Sequence, residues 1–397
     1  MRNAVIVDVV RTAVGKGRSG GALADVHPVD LLSVVLKALE KRNDLDPHLI
    51  EDVITGCVLQ NGEQSMNIAR RGVLAAGWPE SIPATTIDRQ CGSGQQAIHF
   101  AAQGVMAGAY DVVIAAGVES MSRIPIANSV ASPVLAGDKV NKRYPNGLAH
   151  QGVSAELVAD KWGLTREELD EFSVRSHHLA AQATESGAFD NHIVPVEITL
   201  PDGSTKLHTV DETIRGDTSL EKLSTLSPSF KNPADVERFP HLDWKITPGN
   251  SSPLTDGASA VLIVEESFAE KMGWTPRARF CAFSVLADDP VLMLTAPIPA
   301  TQKVLERANL TIDDMDVYEV NEAFAPVPLV WAREVGADLE KLNPNGGAIA
   351  LGHALGSTGT RLLSTLLQQL EATGGRYGLE TICEGLGMAN AMIIERI

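Results

Sequence analysis

Aromatic residues are scarce, at 5% of 397 positions, which argues against a surface of stacking platforms for single-stranded nucleic acid. Basic residues are outnumbered, with 33 Lys+Arg against 50 Asp+Glu and a net charge of -17. That balance excludes a general binder of nucleic acid or of anionic membranes. Nowhere does the chain carry the roughly 18 to 20 apolar residues of a membrane span. The opening apolar run is interrupted by Asp8 and is too short for a signal-peptide core with its cleavage site; it reads as a strand. The closing Glu395-Arg396-Ile397 is not the peroxisomal tripeptide, so a cytoplasmic protein is expected. Cysteine is rare and dispersed, as Cys57, Cys91, Cys281 and Cys383, without Cys-x-x-Cys pairs or clustered zinc ligands. Free thiols and no metal site are the expectation.

What is present is ordinary globular composition, with 44% hydrophobic and 21% charged residues, which excludes disordered and collagen-like classes. The length predicts two or more domains, or one duplicated unit. Short β-branched runs alternate with helical stretches, the pattern of an α/β protein. Strands are expected at residues 4–10, 53–59, 83–88, 111–117 and 258–264, and helices at 28–41 and from Ala97 to Met106. From about Ser122 to Gly249 the texture turns irregular around one amphipathic stretch, Arg166 to Ser186, as in an insertion lying over a scaffold. The alternation then starts afresh from Arg277, so two similar halves are plausible, although no residue-level repeat is visible.

Two patterns carry little chemistry. Gly15-Lys16-Gly17-Arg18-Ser19-Gly20 fits G-x-G-x-x-G, but it is displaced from the preceding strand and no helical periodicity follows at once, so a flexible loop is the better reading than a dinucleotide site. His177 and His178 are adjacent and point apart on a helix, so a solvated face is expected there.

Three others do. Cys91 follows a predicted strand and precedes a helix across Gly92-Ser93-Gly94, beside unpaired N–H groups and the positive end of a helix dipole, which favours a thiolate. His353 lies in the glycine-rich run Asn345 to Arg361 and could serve as a base or oxyanion donor. Cys383-Glu384-Gly385-Leu386-Gly387 ends another strand, and Asn321-Glu322 ends a third. Two cysteines, a histidine and an asparagine at strand ends of α/β units could converge on one crevice, and nucleophilic acyl transfer is the natural chemistry of that set.

These residues resemble the thiolase family over essentially the whole chain. The matching segments are Arg11 to Lys16, Cys91 to Gln96, Gly117 to Ser122, Gly249 to Ala258, Asn321 to Phe324, Asn345 to Gly347 with Gly352-His353, and Cys383 to Gly387. The resemblance implies a five-layered αβαβα fold of two duplicated halves, residues 1–122 with 250–274 and residues 275–397. An inserted loop domain, 123–249, would cover a coenzyme A site. It also implies that Cys91 takes the acyl group, that His353 activates it, and that Cys383 moves a proton at the α-carbon. Asn321, through a water, and His353 would form one oxyanion hole, and the N–H groups of Cys91 and Gly385 a second. Arg215, Phe230, Ser252 and His150 would contact coenzyme A, which is a substrate; no permanently bound cofactor is implied. Lys139, Lys142 and Arg143 are further candidates, because Ser204 to Lys245 holds more acidic than basic residues. A homodimer or a dimer of dimers is implied as well. Two departures stand out: Ala354 replaces the family's proline after the histidine, and His150-Gln151-Gly152 lacks the methionine of acetoacetyl-CoA-forming members. The second tilts the expectation toward longer-chain 3-ketoacyl-CoA. An irreversible condensing enzyme and a non-catalytic acyl-CoA or lipid carrier are the alternative readings.

Overall fold

The computed structural model describes residues 2–126 and 136–397; Met1 and residues 127–135 of the expected insertion lie outside the described residues. Its strands are β1 (Ala4–Thr12), β2 (Gly15–Lys16), β3 (Asp52–Gly56), β4 (Ala84–Ile87), β5 (Val112–Ser120), β6 (Ile193–Val194), β7 (Val196–Thr199), β8 (Thr205–His208), β9 (Thr255–Glu265), β10 (Ala278–Ala287), β11 (Val317–Val320), β12 (Tyr377–Glu384) and β13 (Met388–Arg396).

The repeat that no residue pattern revealed is plain in the connectivity. The first half runs β1-β9-β5-β3-β4 and the second β10-β13-β12-β11. In each, two antiparallel pairings are followed by parallel ones. An isolated parallel bridge between Tyr318 and Leu342 stands where the second half would carry its last strand. The halves join where β1 meets β10, at Val5 with Arg279 and Ile6 with Ala278.

Strand alternation separates the layers. On β9, Ala260, Leu262 and Val264 face an outer core with Leu31, Leu32, Val35, Leu36 and Leu39 of the helix Pro28–Asn43. Val261 and Ile263 face inward, against the helices Ser93–Met106 and Thr358–Thr373. Those two helices form the middle layer, with Ala97, Ala101 and Ala102 small enough to let sheet and helix approach and Leu363, Leu366, Leu367 and Leu370 filling the rest. On the far side, the helices Pro297–Ala308 and Pro326–Val335 cover Val320, Leu379 and Ile393. The result is helix, sheet, helix, sheet, helix, and each buried leucine contributes about 1.5–3 kcal/mol.

The N-termini of the central helices touch because glycine stands at the contact. A Cβ on Gly359 would lie 2.1 Å from the Gln95 nitrogen, and one on Gly94 2.7 Å from the Gly356 oxygen.

The insertion occupies one defined place in the repeat, between β5 and β9; the matching connection in the second half is the turn Gly385–Gly387. It is more regular than its composition suggests. Besides Arg166–Glu185, capped by Thr165 and Glu168, it holds the helices Gly137–Arg143, Gln151–Lys161, Leu220–Ser224 and Pro233–Arg238 and the hairpin β7-β8. Gln151–Lys161 escaped the sequence reading because Gly152 to Glu156 are buried in succession, so no polar face marks its period.

Candidate active site

Cys91 is buried in the turn between β4 and the helix Ser93–Met106. Ser93 fixes that turn: its Oγ donates to the Gln90 oxygen at 2.6 Å and accepts from the Arg89 N–H at 2.8 Å. Gln90 sits at φ 50°, a left-handed conformation that non-glycine residues adopt mostly where surrounding structure enforces it. The end of β12 packs against this turn. The Cys91 sulfur meets the backbone N–H groups of Cys91 and Gly385 and the side chain of Gln151, while Cys383 lies close enough for Cys91 to oppose its ionisation. The Gln90 side chain packs over Gly385, its Oε1 2.9 Å from where a Cβ would stand.

The other wall is the loop of His353. Thr358 donates its hydroxyl proton to the Ala354 oxygen at 2.9 Å, so its Oγ1 can only accept from His353 Nδ1 at 2.7 Å. That assigns the imidazole proton to Nδ1 and leaves Nε2 bare, 3.4 Å from the Asn321 Nδ2. Glu322, next to Asn321, accepts from Ser176 at 2.6 Å, from Asn343 at 2.8 Å and from the Ile349 N–H at 3.2 Å, fastening the asparagine strand end to the insertion helix and to the glycine-rich loop. Ala354 itself has φ -72°, the angle that proline would impose.

The expected depressed thiol is not found. Burial, followed by the charge of Glu384, pushes Cys91 up to about 12 against the pull of Gln151 and the two N–H groups. Burial and the Arg361 guanidinium hold His353 down to about 3. The resting site therefore pairs a neutral thiol with a neutral imidazole, and desolvation outweighs the helix terminus that the sequence reading relied on.

A cavity of about 300 Å³ adjoins this loop, lined by Lys16, Arg18, Arg215, His177, Ser251 and Pro253 among others; the Pro253 oxygen accepts the His353 N–H at 3.3 Å. Of the four expected coenzyme A contacts, Arg215 lines it. Ser252 is turned aside, its N–H and Oγ both donating to the Ala323 oxygen at 3.0 and 3.1 Å. His150 and Phe230 stack on each other at 5.3 Å, with Phe324 5.9 Å from Phe230, around the start of the Gln151 helix. Lys139, Lys142 and Arg143 are exposed on the helix Gly137–Arg143 and do not line it. The positive charge comes instead from distant segments, residues 16 and 18 joined by 215. The glycine-rich segment that read as a free loop is thus tethered: Gly15–Lys16 pairs with β9, and the Lys16 N–H donates to Glu212 at 2.8 Å. His177 is likewise not on a solvated face. It is buried, and its Nδ1 accepts the Arg215 N–H at 3.2 Å.

Among the described residues no group of three or more His, Cys, Asp or Glu could hold a metal ion, and no helix is long and apolar enough to cross a membrane.

Residues 4–267 match the model of the thiolase N-terminal domain and residues 274–396 that of the thiolase C-terminal domain. The chain belongs to the thiolase family. It is 47% identical to a steroid 3-ketoacyl-CoA thiolase of Mycobacterium tuberculosis over 100% of this chain and 95% of that protein. It is 42% identical to a 3-ketoacyl-CoA thiolase of Photobacterium profundum, with both covered in full at 100%. The crystal structure of the Bacillus anthracis acetyl-CoA acetyltransferase superposes with a TM-score of 0.89 at 37% identity, covering 100% of this chain and 99% of that one. This thiolase is accordingly a coenzyme A-dependent acyltransferase that works through a cysteine, in 3-ketoacyl-CoA thiolysis and the reverse condensation.

Three groups at the thiolase site had no assigned part in the sequence reading. Thr358 sets the His353 tautomer, Gln151 reaches the Cys91 sulfur, and Glu384 lies against the turn that carries Cys91. Gln151 was visible as a departure from a family motif. Glu384 was visible as a carboxylate ending an apolar strand. Thr358 gave no signal beyond its place in a glycine-rich run.

Proposed function

We propose that Cys91 is the nucleophile of this thiolase and His353 its base. The carrying observation is the Cys91 sulfur facing the Gly385 N–H with Cys383 beside it, in a fold that also sets a bare Nε2 at His353. His353 Nε2 takes the thiol proton and the thiolate attacks the 3-keto carbon of a 3-ketoacyl-CoA. The C2–C3 bond breaks, its electron pair stays on C2, and Cys383 supplies the proton that completes acetyl-CoA. A coenzyme A thiol, losing its proton to the same machinery, then displaces Cys91 from the acyl group. Asn321, through a water, and His353 hold one developing oxyanion, and the N–H groups of Cys91 and Gly385 the other; fixed donors of this kind are each worth about 2.7–4 kcal/mol. Both cysteines and His353 are neutral at rest, so the proton moves when the substrate carbonyl is in place to receive the charge.

Coenzyme A lies along the cavity with its phosphates toward Lys16, Arg18 and Arg215, and its pantetheine passes Ser252, His150 and Phe230. Residues 123–249 act as the cover, over halves formed by 1–122 with 250–274 and by 275–397. The working form is a cytoplasmic homodimer or dimer of dimers. The polar Gln151 in place of methionine and the identity with a steroid 3-ketoacyl-CoA thiolase support substrates longer or bulkier than acetoacetyl-CoA, in acyl-chain degradation. Coenzyme A-dependent loss of 3-ketoacyl-CoA enolate absorbance tests this. A long-chain or polycyclic substrate is expected to exceed acetoacetyl-CoA in kcat/KM, and Cys91→Ala to remove turnover. Full thiolysis by Cys91→Ala contradicts the assignment, and a strong acetoacetyl-CoA preference contradicts the substrate class.

A further inference from the structure

Glu384 is fully buried at the end of β12, and the mechanism above gives it no task. Cys383 and Glu384 alternate across the sheet: Cys383 belongs to the outer core of the second half, while the Glu384 carboxyl enters the central layer. It fills the space over Gly92, where a Cβ would lie 1.9 Å from its Oε1. It thus occupies the end of the helix whose turn carries Cys91. The side-chain amide of Asn390 lies 3.0 Å from Oε1, and its Nδ2 donates to the Gln96 Oε1 at 3.3 Å. Oε2 is buried and has no partner.

The charged and titratable groups around it are few. Arg89 and Asp88 face it from the turn before the helix, Cys91 from the nucleophile turn and Cys383 from its own strand. Asn390 of β13 is neutral. Arg89 favours the carboxylate and Asp88 opposes it, while burial outweighs both and pushes Glu384 up to about 9. A thiolate on Cys91 and a carboxylate on Glu384 would be two buried anions at a single helix terminus. Such a pair titrates jointly, and one charge excludes the other.

We propose that Glu384 is a positioning residue carried as a neutral carboxylic acid beneath Cys91, so that the single negative charge this helix end accommodates goes to the sulfur during turnover. Its proton stays in place through the reaction: the thiol proton of Cys91 goes to His353, and none passes to or from Glu384. Ionisation of Glu384 therefore suppresses the thiolate. The inference rests on Cys91 being the nucleophile.

The test is the rate of iodoacetamide alkylation at Cys91, read on the Cys91 peptide by mass spectrometry in the whole enzyme from pH 7 to pH 10.5, for wild type and Glu384→Gln. Below the Glu384 titration both carry a neutral group and should label at similar rates. Above it the variant should label faster, reaching about tenfold for one pKa unit of coupling. A rate ratio that stays flat with pH overturns the inference, because a purely packing role would shift all pH values alike. Should Glu384→Gln not fold, wild type alone decides. Its logarithmic labelling rate is expected to rise with less than unit slope near pH 9 to 10, whereas unit slope throughout overturns the inference. Alkylation reads the thiol and not thiolysis, so retained turnover by Cys91→Ala would refute the nucleophile separately.

Discussion

At His353 a single hydroxyl determines what the imidazole can do. Thr358 cannot both donate to Ala354 and donate to His353, so the bare nitrogen must be Nε2. Thr358→Val removes that constraint with nearly the same shape. It is expected to lower thiolysis kcat/KM about tenfold, the effect of one hydrogen bond of roughly 1–1.5 kcal/mol, with little change in KM for coenzyme A. Unchanged kcat/KM would show that the tautomer is set otherwise. The pH profile carries a second expectation. A base is lost when it is protonated, and His353 is held neutral down to about 3. Thus kcat/KM should show no acid limb with a midpoint near 6.5, the ordinary histidine range; an acid limb there that belongs to His353 would contradict the buried, neutral site. At this scale the sequence disclosed the groups whose local context is unusual, Cys91 at a strand-to-helix turn and His353 among glycines. It could not disclose Glu384 as a partner, nor the raised thiol, because both depend on burial by segments remote in the chain, and Thr358, though only five residues from His353, depends on how the loop folds back on itself.

Among elements, the tie between the N-terminal segment and the insertion has the clearest energetic meaning. Arg11, fully buried at the end of β1, makes two bonds to Asp211, at 2.7 and 2.9 Å, and the Val14 N–H adds a third at 2.8 Å. Asp211 begins the stretch that carries Arg215, so this pair sets the wall of the basic cavity. Removing one partner of a buried ion pair leaves an uncompensated charge. Asp211→Ala should destabilise the protein by about 3–5 kcal/mol, seen as a lower denaturant midpoint; a loss under about 1 kcal/mol would mean the pair behaves like a surface one. Counting charge along Ser204 to Lys245 missed the basic cavity, since Lys16 and Arg18 reach it from the N-terminal segment, where Gly15–Lys16 pairs with the start of β9. The adjacent histidines show the converse error. His177 points into the protein, where it accepts the Arg215 N–H, and His178 bonds the Thr218 oxygen of the same segment.

Across the whole molecule, the α/β class and most strands and helices were legible from periodicity, and the seven family-like segments placed the site. The duplication was not legible in residues, because two halves can preserve strand order while each core position drifts among apolar side chains. Strand pairing preserves it: antiparallel, antiparallel, then parallel in both halves. The insertion between β5 and β9 and the short turn Gly385–Gly387 are the two forms of one connection, and they meet at the Cys91 sulfur through Gln151 and Gly385. The account therefore turns on the acyl group residing on that sulfur. The most direct measurement is to incubate the enzyme with a 3-ketoacyl-CoA without free coenzyme A, quench, and weigh the peptides. The mass of the acyl chain should appear on the Cys91 peptide and disappear when coenzyme A is added before the quench. An acyl group carried by Cys383 or another residue, or turnover with no acyl-enzyme at all, would contradict it.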